Sequence, residues 1–281
     1  MAKRKASAKW FEEGDSHGAA SKFGQLLGEA FADAVYRFIG RYLREHYPAY
    51  SLLKPAEGKK LVQLAMLGGT SRQMDSVIVP RDSTDPVALF ESKWLKDGRH
   101  HNDKGAWILQ LKEIRRKHPT VRGAVANLGG FWNEGARLMF EREGRVRMVL
   151  VATDEEVYGT LQPFVDQFAN EHNTGAINLG NIRAIRDRLP EPWHLANCVG
   201  LLKEKGSLAE IADNWLDFER QQPAAESTVR GRDLVREAID ELLAPLPEDP
   251  RIESFELSLQ ISTGNIIHKE VADVEDAIEF I

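Results

Sequence analysis

Two short apolar runs flank a loop that can continue neither of them. Residues 73–79, "QMDSVIV", and 87–94, "VALFESKW", are rich in β-branched and aromatic residues, and "PRDSTDP" between them carries two prolines and two aspartates. Proline lacks the N–H that a ladder needs and aspartate bonds its own turn backbone, so the pattern predicts an antiparallel hairpin. A lone hairpin is marginal in water. A chain of 281 residues, 42% of them hydrophobic, has enough apolar material to bury one.

The neighbouring segments supply that cover. Residues 22–44 place Phe23, Leu27, Ala30, Phe31, Ala34 and Phe38 at helical spacing, and Pro48 ends the helix. A short strand is expected over 60–67, "KLVQLAML", stopped by Gly68 and Gly69. After the hairpin, 103–118 reads as a helix closed by Pro119, and 121–128 and 146–153 as buried strands. This order predicts an α/β fold, a mixed central sheet flanked by helices.

The C-terminal third reads differently. "SLAEIADNWLDFERQQ" opens with Ser207 and Glu210 in capping-box spacing, and "TVRGRDLVREAIDELLAP" is amphipathic. "FELSLQI", 255–261, alternates apolar and polar residues as a one-sided strand does. The expected organisation is a basic flexible N-terminus over 1–15, a core over 16–189, and a mainly helical extension with a terminal strand over 190–281, with the boundary near Pro190.

The hairpin also places charge. Residues two apart in a strand share a face, so Glu91 and Lys93 point the same way. If the hairpin is centred on Ser83, Asp75 lies opposite Glu91, and directly paired residues have Cβ atoms about 4.5–5.5 Å apart. Two carboxylates that close repel, and a divalent cation relieves the repulsion. Oxygen-only ligands with positions left for water suit Mg²⁺, with Mn²⁺ as a substitute, and the backbone carbonyl of Ser92 is a third candidate ligand. Lys93 would hold or deprotonate the attacking water and offset charge in the transition state. The alternative is a cross-strand ion pair at an exposed strand end, which contributes little. The buried character of "VALF", and two acids facing one lysine, weigh against it.

Asp75, fifteen intervening residues, then Glu91-Ser92-Lys93, in the order helix, strand, hairpin, helix, strand, resembles the PD-(D/E)xK nuclease superfamily over roughly residues 20–155. That superfamily includes most type II restriction endonucleases. The resemblance implies a restriction-endonuclease-like sheet and Mg²⁺-dependent hydrolysis of phosphodiester bonds in double-stranded DNA. It also implies catalytic roles for Asp75, Glu91 and Lys93 and makes Glu29, on the first helix, a further candidate metal ligand. Met74 stands where the superfamily often has proline. Gln110 is similar to a glutamine of recombination-type nucleases, although Ile114 occupies the place of the tyrosine that follows it there. A type II restriction endonuclease cutting both strands of a symmetric site would act as a homodimer, with the C-terminal extension serving DNA binding or dimerisation. Two other readings stand beside it: a repair, recombination or phage-defence nuclease that reads DNA structure, and a non-catalytic nucleic-acid-binding or scaffold protein on the same fold.

Candidate phosphate contacts are Lys96, Arg99, His100 and Lys104, just after the Glu-x-Lys stretch, and Arg115 and Arg116 in the basic run "KEIRRKH". A zinc site at His100 and His101 is disfavoured because adjacent residues on a strand point to opposite faces. The net charge of −6 argues against a broadly basic, non-specific binder, but not against one basic cleft. One cysteine, Cys198, excludes an intramolecular disulfide framework. No stretch reaches the roughly 20 apolar residues of a membrane span, and no secretory signal is read in the basic N-terminus, so a cytoplasmic enzyme is expected.

Overall fold

The computed structural model describes residues 19–54, 62–67, 69–96, 98–182, 192–222, 227–245, 255–263 and 266–280. It divides into two units, residues 1–242 and 243–281.

In the first unit, helix α1 (Ala19–His46) leads into strand β1 (Tyr50–Leu53), a small hairpin of β2 (Gln63–Ala65) and β3 (Ser71–Gln73), and the long hairpin of β4 (Ser76–Pro80) and β5 (Ala88–Leu95). Then come α2 (His101–Lys117), β6 (Gly123–Gly130), α3 (Glu134–Gly144), β7 (Arg147–Ala152) and α4 (Asp154–His172). Helices α5 (Pro192–Glu204) and α6 (Ser207–Asn214), a hairpin of β8 (Glu219–Gln222) and β9 (Ser227–Arg230), and α7 (Gly231–Leu243) complete the order. Strands β1-β4-β5-β6-β7 form one five-stranded sheet, antiparallel from β1 to β5 and parallel from β5 to β7. The fold is therefore α/β with a mixed central sheet flanked by helices, as expected.

Alternation along β5 sorts the two sheet faces. Leu89 and Leu95 join Val77, Val79, Ala126 and Leu128 in a core sealed by Ile108, Leu111 and Ile114 of α2 and Phe140 of α3. Phe90 and Trp94 point the other way, where α1 lies, and the Trp94 and Phe31 rings sit 6.3 Å apart. The glycines ending β6 are required by this packing. A Cβ on Gly129 would come within 2.8 Å of the Trp94 ring, and Gly130 has φ +86° with its would-be Cβ against the Leu95 carbonyl. Helices α5 and α6 also pack on α1. Asp240 of α7 accepts hydrogen bonds from Tyr42 and Tyr47 at 2.7 and 2.8 Å.

Several expectations are corrected. The strand placed over 60–67 is not in the central sheet: residues 55–61 lie outside the described residues, and 63–65 pair with 71–73 in a separate hairpin. The sheet edge is β1, whose four half-buried residues carry too short a pattern to register as a strand. The run 73–79 is broken at Met74 and Asp75, because the Met74 amide donates to the Val62 carbonyl and only from Ser76 does the chain join β5. Helices α3 and α4 were not expected. Each carries a local start signal: Asn133 accepts from the Ala136 amide, and Thr153 and Glu156 form a full capping box. The capping box read at Ser207 and Glu210 does not form, since Gly206 caps α6 with φ +80°.

The boundary expected near Pro190 falls outside the described residues; the two units meet in sequence between Leu242 and Leu243. The second unit is a hairpin, β10 (Phe255–Gln260) with β11 (Ile266–Val271), followed by α8 (Val274–Phe280). The one-sided strand read at 255–261 is β10, but its partner strand and final helix make this segment more than a terminal strand. Among the described residues, no helix is long and apolar enough to cross a membrane.

Candidate active site

The β4–β5 ladder runs Ser76↔Phe90, Val77↔Leu89, Ile78↔Ala88. One step further, where β4 ends and β5 continues, the same register sets Asp75 against Glu91. Strand β5 continues past that point, its other edge paired residue for residue with β6 from Ala88 to Leu95. The site thus sits where an antiparallel partner stops and a parallel one does not.

Asp75, Glu91 and Lys93 meet. The Lys93 Nζ lies 3.1 Å from Asp75 Oδ2 and donates a shorter hydrogen bond to Glu91 Oε2. The Ser92 amide donates to Asp75 Oδ2 at 2.9 Å. In a strand the N–H and C=O of one residue turn to the same side, so the Ser92 carbonyl also faces this edge, beyond the last β4–β5 pair. Glu91 is buried, with a side chain 1% exposed, whereas Asp75, at 41%, opens to solvent.

A fourth residue, absent from the sequence reading, completes the floor. Arg72 of β3 is buried, and its Nη2 stands 2.9 Å from Glu91 Oε1. That contact is an ion pair without hydrogen-bond geometry, and Oε1 is a buried oxygen that accepts no hydrogen bond. Arg72 also donates to the Trp107 carbonyl and lies over the Trp107 ring, 5.3 Å from its centroid. Nothing in "SRQMD" announces this, because a three-residue strand has no readable period.

Electrostatics split the two acids. Burial pushes the Glu91 carboxyl up to about 7; Lys93 opposes the shift, Asp75 adds to it, and Arg72 opposes it. Burial also raises Asp75, but the Lys93 charge and hydrogen bonds involving Glu91, the Ser92 amide and Lys93 outweigh it and hold the carboxyl below its usual range. Burial lowers Lys93, yet Glu91 and Asp75 outweigh it, so the ammonium is held cationic. Lys93 is therefore a charge and a donor here, and not a group ready to accept a proton.

The donor set fits a hard divalent cation. It is made of oxygens: the solvent-open Asp75 carboxylate, the buried Glu91 carboxylate with Oε2 toward Lys93 and Oε1 toward Arg72, and the Ser92 backbone carbonyl on the same edge as Asp75.

Two hollows meet at the pair. One, of about 590 Å³, is walled by the β2–β3 hairpin and α2 and lined by Gln63, Gln73, Trp107 and Gln110. The other, of about 540 Å³, is walled by α1 and lined by Glu29, Ser92, Lys96 and His100. Asp75, Lys93 and Lys104 line both. Glu29 is thus brought to the site, but its carboxylate is bonded to Lys203 Nζ and Gln25 Nε2, each at 2.7 Å. His100 is exposed and bonds Asp103, while His101 is buried against the Phe131 carbonyl. The Arg99 side chain lies outside the described residues. Arg115 and Arg116 do not join the site: they lie on the last turn of α2, about 16 Å along the helix from Lys104, and bond the Arg145 carbonyl and Glu113. The helix that carries "KEIRRKH" walls the site with its first half, and the basic run lies at its far end.

No protein family, no curated protein and no solved structure matches this chain.

Proposed function

We propose that this protein is a Mg²⁺-dependent endonuclease that hydrolyses phosphodiester bonds in DNA, with a restriction-endonuclease-like core. The observation that carries the reading is the convergence of Asp75, Glu91 and Lys93 at one strand end, with the two acids driven apart in acidity and the lysine held cationic. Asp75, Glu91 and the Ser92 carbonyl would hold the ion. Bound there, Mg²⁺ supplies Lewis-acid polarisation of the phosphodiester and neutralises its charge. Arg72 fixes the Glu91 carboxylate from below. Lys93 offers N–H donors to phosphoryl oxygens as they gain charge, a contribution that strengthens in the transition state. Lys104, exposed where both hollows meet, attracts the backbone of the strand being cut.

Within this class, a type II restriction endonuclease acting as a homodimer on a short symmetric site is the leading form, since two strands need two centres. A second form, a nuclease that reads DNA structure, is favoured by the exposed Trp107 in the wall of the cleft, as an aromatic ring there has no use for a fully stacked duplex. The test is incubation of long duplex DNA with wild type and Lys93→Ala, each with Mg²⁺ and with EDTA. Cutting by wild type with Mg²⁺ alone supports the reading, and discrete fragments assign the restriction form. Intact DNA in every lane, with branched and single-stranded substrates also uncut, sinks it.

A further inference from the structure

We infer that the hollow between the β2–β3 hairpin and α2 is a subsite for one unpaired nucleobase of a DNA strand, stacked on Trp107. The identity of the ligand rests on the nuclease reading. Trp107 is 52% exposed, while Trp94, Trp132 and Trp215 are buried. About half of this large ring is left in water, and it is held in place. Arg72 lies over it and is itself pinned by Glu91 and by the Trp107 carbonyl. The platform is therefore ordered before any ligand arrives, which removes an ordering cost from binding.

The rest of the hollow is chosen for hydrogen bonding. Gln63 and Gln73, direct cross-strand partners on the exposed face of the β2–β3 hairpin opposite Arg72, also line the hollow, and Gln110 lies one helical turn beyond Trp107. Each carboxamide both donates and accepts, as the edges of nucleobases do. The same hollow includes Asp75, Glu91 and Lys93, so a base held on Trp107 leaves its own phosphodiester beside the carboxylates. A base within a duplex offers only its edge. Stacking on a protein ring requires it to be out of the helix, which costs least where it is already unpaired.

The experiment is a binding titration in EDTA, where no cutting occurs. The ligands are a short single strand, a duplex with one bulged base, and the fully paired duplex of the same sequence. Wild type, Trp107→Ala and Trp107→Phe are compared by fluorescence anisotropy of labelled DNA. Expected is a loss of about tenfold in affinity for the single strand and the bulged duplex in Trp107→Ala, restored largely by the stackable phenyl ring of Trp107→Phe. Affinity for the paired duplex is expected to be unchanged. Equal loss on all three ligands, no loss on any, or no binding by wild type overturns the subsite. Cleavage of the same DNAs by wild type in Mg²⁺ is scored in parallel. Trp107-dependent binding without cleavage defeats the nuclease reading and keeps the subsite, and cleavage with Trp107-independent binding does the reverse.

Discussion

Arg72 Nη2 lies 2.9 Å from Glu91 Oε1, and the two side chains are 3% and 1% exposed. One comes from a three-residue strand outside the central sheet, the other from the middle of β5. Removing Arg72 leaves Lys93 as the remaining cation on Glu91, so the cost should be at most the about 3–5 kcal/mol typical of breaking a buried pair. Arg72→Ala is therefore expected to be destabilised in urea denaturation. Because Arg72 is one of the cations holding the Glu91 pKa down, its loss drives that carboxyl further up and lets it escape by protonation. The defect should be smaller at pH 6 than at pH 8, and Glu91→Gln in the same chain should relieve it. A defect independent of pH and of Glu91 would show that Arg72 acts through packing alone.

Lys93→Ala tests the chemistry apart from the fold. Lys93 anchors no apolar core but is the cation shared by Glu91 and Asp75, so the variant should lose stability in urea while circular dichroism without denaturant stays that of the folded wild type. Removing a donor aimed at charge that develops in the transition state typically costs about 100- to 1000-fold in rate. Cleavage should fall by that much while affinity for DNA in EDTA changes little. Parallel loss of binding and cutting would assign Lys93 to ground-state phosphate attraction.

Much of this was legible because it depends on local rules. Alternation in "VALFESKW" and the prolines at 80 and 86 give the β4–β5 hairpin, and its symmetry about Ser83 gives the Asp75–Glu91 pairing that the register continues to. Arg72, Trp107 and Lys203 were not legible. Arg72 reaches Glu91 through a small hairpin whose position no pattern predicts, and Lys203 reaches Glu29 from a helix 174 residues away. Trp107 sits on a helix face that sequence periodicity marks only as not core. Helices α5 and α6 look like an extension in the sequence, yet both pack on α1.

The glycines of β6 link the core to the site. Gly129→Ala would place a methyl group 2.8 Å from the Trp94 ring and 3.0 Å from Phe31. Overpacking of this kind typically costs about 1–3 kcal/mol. Trp94 follows Lys93 in β5, so relief of the clash through the β5 backbone would move the lysine relative to Asp75. Cleavage is expected to drop with stability, and Phe31→Leu in the same chain should recover both by giving the methyl room. Recovery of stability without recovery of cleavage would mean that β5 does not transmit the strain.

Cation uptake should depend on pH through Glu91. Its carboxyl is pushed up to about 7 in the folded protein by burial, while Asp75, held low, is already ionised. A cation needs both ionised, so below about pH 7 each ion bound must release one proton, and apparent affinity falls about tenfold per pH unit; above that it is flat. Stability runs the other way in the metal-free protein. The folded state holds a proton that the unfolded state gives up near its ordinary, lower pKa, so stability decreases as pH rises from about 4.5 to about 7. Asp75 has the opposite sign: its depressed pKa adds stability above its unfolded value, lost as pH falls through the lower folded one. Added Mn²⁺ should accordingly raise the melting temperature more at pH 8 than at pH 6. Calorimetry in buffers of different ionisation heat should count about one proton released near pH 6 and almost none at pH 8. Glu91→Gln removes the titrating group and should abolish the proton release along with most of the affinity. Mn²⁺ binding of equal strength at both pH values would show that the ion is not held by Glu91.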